Sequence, residues 1–312
     1  MKITFFGSDD FAATHLEELL RSKHQVAAVV TQPDRAKGRG LQVVPSLVKT
    51  IAIDAKLPVY QPENLKDKVF LDQIKSLHCG LLVVIAYGRI LPMEVLQLPY
   101  ICAINVHGSL LPKYRGAAPI NWAIINGEKE TGVSIIKMNP QMDAGDILTQ
   151  AKVRIEDSDT SLTLRLKMAQ AGKKALLKTI DTLEKNAYTL TAQDPAEVTL
   201  APKLTKELGQ IDWKKNAQDI HNLVRGLLPW PTAYTYYQGK LLKVLETDVA
   251  KVDLKGGKPG EVIEITKDAL IVATGENSLA IKKVQPESGK VMDSRSFAAG
   301  HKLVPGSRFD GT

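Results

Sequence analysis

The stretch Asn105-Val106-His107-Gly108-Ser109-Leu110-Leu111-Pro112-Lys113-Tyr114-Arg115-Gly116 sets an amide and an imidazole two residues apart at the end of an apolar run. Ile101, Ala103, Ile104 and Val106 predict a short buried strand, which Gly108 and Pro112 break into a loop. Strand residues i and i+2 face the same side, so Asn105 and His107 point together into the space beyond the strand end. An amide N–H can stabilise charge on oxygen during acyl transfer, and an imidazole can carry protons near neutral pH. On its own this pair is also what a structural histidine at a strand end looks like. Asp143, on a loop after a later strand, supplies a carboxylate that could orient His107 or a water. The plainer alternative makes Asp143 and Asp146 turn residues beside Gly145. No His or Cys cluster has ligand spacing, so no metal is expected.

The elements that must position these groups alternate in type. Strands are expected at residues 2–6, 26–30, near Val59, at 81–86 and up to His107, with helices over 11–22, 46–55 and 69–77 between them. That alternation predicts a mostly parallel, Rossmann-like sheet with helices on both faces, and ligands in such sheets sit at the carboxyl ends of strands. A helix over 118–126, a strand over 132–138 and a long amphipathic helix over 162–183 follow, its lysines forming a solvated face. Residues 188–206 lose periodicity and gather Pro195 and Pro202, which reads as a linker. Beyond a helix ended by Pro229-Trp230-Pro231, five short strand candidates at 233–237, 241–245, 261–265, 270–273 and 279–284 predict a small closed or nearly closed barrel.

At 312 residues the chain suggests two domains, and 44% hydrophobic with 24% charged residues is an ordinary globular composition. No apolar run is long enough for a signal peptide or a bilayer span, so a cytoplasmic protein is expected. Cys79 and Cys102 are the only cysteines and read as small core residues. The net charge of +7 is spread along the chain and permits a polyanionic partner. The turn Gly7-Ser8-Asp9-Asp10 has one glycine where a dinucleotide fingerprint needs three, and its carboxylates would repel pyrophosphate. Arg35, Lys37 and Arg39 lie in a glycine-bearing loop that either contacts phosphate or is simply solvated. Trp213, Trp230, Tyr234, Tyr236 and Tyr237 read as packing residues, with base stacking the alternative.

Asn105-x-His107-x-Ser109-Leu110-Leu111-Pro112-x-Tyr114-Arg115-Gly116, with Asp143-Ala144-Gly145 downstream, resembles the signature of the folate-dependent formyltransferases. Thr31-Gln32-Pro33-Asp34-Arg35, Gly38-Arg39-Gly40, Ala86-Tyr87-Gly88, Gly116-Ala117-Ala118-Pro119-Ile120 and Ile211-Asp212-Trp213 are similar to the branch that formylates methionyl-tRNA, over essentially the full length. Asp9 departs from the proline of many relatives, outside the reacting groups. The resemblance implies formyl transfer from 10-formyltetrahydrofolate to the α-amino group of methionyl initiator tRNA. By the same resemblance, Asn105, His107 and Asp143 are catalytic. Folate is held by Tyr87, Gly88, Arg89, Ile90 and Leu91 together with Ser109, Leu110, Leu111 and Pro112, and Arg35, Lys37 and above all Arg39 contact the tRNA acceptor end. The expected division is a catalytic domain at 1–187, a linker at 188–206 and an oligonucleotide-binding-like (OB-like), tRNA-binding barrel at 207–312, working as a monomer without metal. The runner-up is a formyltransferase acting on a small amine such as a ribonucleotide or amino sugar; glycinamide ribonucleotide formyltransferase shares the core motif but not the C-terminal part. An RNA-binding module on an inactive α/β domain is the reading from another class.

Overall fold

The computed structural model describes residues 1–37, 42–250 and 257–310. In chain order the elements are β1 (Lys2–Gly7), α1 (Asp10–Arg21), β2 (Gln25–Val30), β3 (Arg35–Lys37), β4 (Gln42–Val44), α2 (Leu47–Asp54), β5 (Val59–Tyr60), α3 (Lys68–Ser76), β6 (Leu81–Ile85), α4 (Met93–Leu96), β7 (Cys102–His107), β8 (Arg115–Gly116), α5 (Pro119–Ile125), β9 (Glu130–Lys137), β10 (Ile147–Arg154) and α6 (Ser161–Glu184). They continue as β11 (Leu200–Ala201), α7 (Ala217–Gly226), β12 (Ala233–Tyr237), β13 (Lys240–Ala250), β14 (Val262–Ile265), β15 (Leu270–Ala273), β16 (Ser278–Pro286), β17 (Met292–Asp293) and α8 (Ser294–His301). Two compact units result, one from residues 1–116, 130–154 and 165–201, the other from 117–129, 155–164 and 202–312.

In the first unit the apolar runs of β1, β2, β6 and β7 form the parallel centre of a seven-stranded sheet ordered β10-β9-β7-β6-β1-β2-β5. Strands buried on both faces carry such unbroken apolar runs. β9 pairs antiparallel with β7, and β10 antiparallel with β9. β10, half exposed and alternating, has no counterpart in the sequence reading. The glycine-bearing loop of Arg35 and Lys37 pairs in its described part as a hairpin, Arg35 opposite Val44 and Lys37 opposite Gln42. Asp9 caps α1 by accepting from the Ala12 N–H at 2.9 Å and pairs with Arg165, so the first βα turn is used for structure.

In the second unit five strands run antiparallel in the order β12-β13-β16-β15-β14. Residues 306–310 bridge the two edges: the Val262 N–H donates to Ser307 O and the Phe309 N–H to Gly260 O, each at 2.8 Å, while the Asp310 N–H donates to Tyr236 O at 2.8 Å. The expected barrel is thereby closed. Its core gathers Ile211, Val244, Leu279, Ile281, Phe297 and Phe309. Trp213 is buried there, its Nε1–H on Thr235 Oγ1 at 3.0 Å and its ring stacked on Phe309, whereas Trp230 is half exposed. α5 joins this unit through Asn121, whose amide donates to Gly226 O at 2.8 Å. The buried Arg225 guanidinium ties in the 155–164 stretch through the Glu156 and Asp159 carbonyls. Among the described residues no helix is long and apolar enough to cross a membrane.

His15, fully buried on α1, keeps Nδ1 on Phe11 O at 2.7 Å, and Gly172 lies so close that a Cβ there would sit 2.6 Å from Nε2. Burial, reinforced by Lys173 and Arg165, lowers its pKa from 6.5 to about 4. The unfolded chain therefore takes up the proton first, and stability is lost as pH falls from about 6.5 towards 4. Between pH 7 and pH 4.5, urea unfolding of the protein is expected to lose about 2 kcal/mol that the His15→Leu variant does not lose. Equal pH dependence in both proteins would contradict this.

Candidate active site

β7 places Asn105 and His107 on one face, as its period of two requires, with Asn105 opposite Ile136 and His107 opposite Ser134 of β9. Because β9 is antiparallel, the 138–146 loop leaves it at the level of Ala103, where the Met138 N–H bonds Ala103 O at 2.9 Å. The loop then brings Asp143 back towards the end of β7. Asn105 Nδ2 donates to Asp143 Oδ1 at 3.3 Å, and His107 Nδ1 lies 3.5 Å from that same oxygen. The Gly116 N–H donates to Asp143 Oδ2 at 2.9 Å. Asp143 holds a left-handed backbone, φ +51°. His107 and Asp143 are largely buried, and Asn105 is half-buried.

On the other ring nitrogen, His107 Nε2 sits 2.9 Å from Tyr114 O. A carbonyl only accepts, so Nε2 carries hydrogen and Nδ1 is the atom left to take up and return a proton. Asn105 has two N–H groups and gives one to Asp143, which leaves the other for an oxygen on a bound molecule. An amide, an imidazole and a carboxylate thus converge within 3.5 Å. The plainer reading of Asp143 as a turn residue describes its backbone and misses its side chain.

The chain matches the family model described as formyl transferase over residues 1–180 and that of the formyl transferase C-terminal domain over 203–302. It is 45% identical to the methionyl-tRNA formyltransferase of Acetivibrio thermocellus, covering 98% of each chain. It is 46% identical to that of Caldanaerobacter subterraneus subsp. tengcongensis, covering 98% of this chain and 99% of the relative. The chain belongs to the methionyl-tRNA formyltransferase family. Among solved structures it is similar in fold to WlaRD, a sugar 3N-formyl transferase, with TM-score 0.68 at 19% identity, over 90% of this chain and 97% of that one. It is also similar to HypX from Aquifex aeolicus in complex with tetrahydrofolic acid, with TM-score 0.66 at 18% identity, over 96% of this chain and 47% of that one.

Against the formyltransferase pattern, the remaining candidates divide. Tyr87 and Leu91 are buried in the core, Tyr87 edge-on to Phe6 at 5.4 Å, so their side chains face inward. Ile90, in the loop that follows β6, is 73% exposed. Arg89 is spent on the carbonyls of Pro62 and Glu63 at 3.1 and 2.8 Å. Gly88, at φ +79°, lies against Gln32, whose amide donates to Tyr87 O at 2.6 Å. The Ser109–Pro112 loop is fixed by residues the sequence reading missed. Ser134 Oγ donates to Ser109 O at 2.7 Å and accepts from the Leu111 N–H at 2.9 Å, and Gln150 Nε2 donates to Leu111 O at 2.9 Å. Leu111 is buried, while Leu110 and Pro112 are half-buried. Arg35 and Lys37 lie on β3, and Arg39 falls outside the described residues. Among the described residues His24, Asp181 and Glu184 bring ligand-capable atoms within 4.8 Å, but Lys23 pairs with Asp181 and the Met1 ammonium with Glu184.

Gly116 leaves no room for a side chain. Its φ is +126°, and a Cβ there would lie 2.6 Å from Ala201 O on β11. Gly116→Ala is expected to cost about 2–4 kcal/mol in urea unfolding. A cost below about 0.5 kcal/mol would mean that the β8–β11 contact is not held as described.

Proposed function

We propose that this protein transfers the formyl group of 10-formyltetrahydrofolate to the α-amino group of methionyl initiator tRNA. The observation that carries the reading is the convergence of Asn105, His107 and Asp143, in a chain aligned end to end with methionyl-tRNA formyltransferases. The attacking group is the neutral amine. An α-amino pKa of about 7.7–8.0, lowered further by esterification, makes the neutral form accessible near neutral pH. Its nitrogen bonds to the formyl carbon, the carbonyl oxygen takes up charge, and the bond to the folate nitrogen breaks as that nitrogen is protonated. The free N–H of Asn105 faces the charged oxygen. His107, its ring held by Nε2–H on Tyr114 O, takes on Nδ1 the proton that the amine loses, pairs in that charged form with Asp143, and returns the proton towards the leaving nitrogen, while Asp143 also holds a water.

The folate ring fits the carboxyl ends of β6 and β7, which are paired neighbours. Exposed Ile90 and half-buried Leu110 give apolar surface there, and the rigid backbones of 87–91 and 109–112 give polar groups. We assign formyl transfer to residues 1–187 and tRNA binding to 207–312, with 188–206 between them, and place the reaction in the cytoplasm. Arg35, Lys37 and Arg39 are assigned to acceptor-end phosphates, which position the RNA without reading it.

Radiolabelled formyl transfer tests the reading, with methionyl initiator tRNA, methionyl elongator tRNA, free methionine and an amino-sugar nucleotide as acceptors. Only the first is expected to react efficiently; preference for the sugar would favour the small-amine alternative. Asn105→Ala is expected to lower single-turnover formylation about 100- to 1,000-fold, and a near-normal rate would end its assigned role. Arg39→Ala should weaken tRNA binding and reduce the slope of log affinity against log salt by about 1. An unchanged slope would remove the phosphate contact.

A further inference from the structure

The aperiodic stretch between the two sequence-matched parts is pinned to the catalytic loops along much of its length. Thr191 exchanges backbone hydrogen bonds with Ile147 at 2.8 and 3.0 Å. Asp194 Oδ1 accepts from the Ala196 N–H at 2.8 Å and starts a single 3-10 turn at Pro195–Glu197. Thr199 then receives the Tyr114 N–H on Oγ1 at 2.8 Å and the Arg115 N–H on its carbonyl at 2.9 Å. β11 runs parallel to β8, Leu200 opposite Arg115 and Ala201 opposite Gly116. The strand that presents the Gly116 N–H to Asp143 is therefore held from outside by this segment.

Gln193 stands between the two loops. Its Oε1 accepts from Arg115 Nε at 3.0 Å and Nη2 at 2.7 Å, while its Nε2 donates to Asp143 O at 2.8 Å and Gly145 O at 2.7 Å. One side chain thus spans the loop that delivers Gly116 and the loop that delivers Asp143, and bonds the backbone of the carboxylate-bearing residue itself. A residue at φ +51° costs on the order of 1 kcal/mol or more and persists where its surroundings over-determine it. The two N–H donors of Gln193 on either side of Ala144 supply that constraint.

We propose that Gln193, seated by Arg115, is a positioning residue for formyl transfer, and that residues 191–201 are a strap that assembles the Asp143 site as well as a connection. This rests on the role given to Asp143 above. Displacements of about 1 Å at a reacting group cost about 100-fold in rate, so partial release of the loop predicts a fall in kcat with substrate binding retained.

The test uses the full-length protein with Gln193→Ala and Gln193→Glu. The glutamate keeps an acceptor for Arg115 but has no N–H for the Asp143 and Gly145 carbonyls. Both variants are expected to lose about 10- to 100-fold in kcat, with KM for tRNA and for folate within about twofold. Hydrogen exchange of the free protein is expected to speed up about tenfold or more in peptides covering 113–116 and 141–146, with β7 and β9 unchanged. The β7 and β9 peptides show that the variants are folded. A normal kcat with unchanged exchange in either variant would overturn the proposal. So would a raised KM for tRNA at normal kcat, which would make the segment an RNA contact. If the wild-type protein does not formylate methionyl-tRNA, the functional reading fails while the exchange measurement still decides the strap.

Discussion

A single carboxylate binds together parts of the chain that are far apart in sequence. Asp143 Oδ1 faces Asn105 and His107 on β7, and Oδ2 takes the Gly116 N–H at the end of the following loop. None of these groups is rare alone. The proposed chemistry needs the amide and the imidazole held in fixed positions, as preorganised sites require; Asp143 takes one N–H of the amide, and Tyr114 O takes the Nε2–H of the ring. The carboxylate is in turn fixed by its own backbone, left-handed at φ +51° and anchored through its carbonyl.

The sheet explains how these groups meet. Five parallel strands place the end of β7 at the carboxyl edge, where open α/β sheets bind ligands. Of the two further strands, β9 runs antiparallel to them and β10 reverses again, so the turn between β9 and β10 sends the Asp143 loop in from the opposite direction. β9 and β10 also fix the Ser109–Pro112 loop through Ser134 and Gln150. Glycine at 116 lets β8 approach β11 more closely than any side chain permits.

The sequence made part of this legible and hid part for physical reasons. The pairing of Asn105 with His107 follows from the period of two along an apolar run, and β7 realises it. The barrel strands were readable because turn residues punctuate them, yet the closing segment at 306–310 is held by backbone hydrogen bonds that leave no side-chain pattern. Asp143 could be nominated but not placed, since the direction of β9 does not show in its hydrophobicity. β10 was missed because an edge strand with half-exposed faces lacks a strong apolar signal. Gln193 was invisible: it acts on carbonyl oxygens from a polar, proline-bearing stretch of the kind that elsewhere is only a linker. The hairpin bearing Arg35 and Lys37 was read as a loop, because three-residue strands fall below any periodicity.

The most direct test of this account is a double-mutant cycle on single-turnover formyl transfer to methionyl initiator tRNA, with Asp143→Asn, His107→Ala and the two combined. If the carboxylate acts through the imidazole it orients, the double variant will be about as slow as the slower single variant. Costs that multiply, leaving the double variant slower by the product of the two single effects, would show that the two groups act independently and would contradict the account.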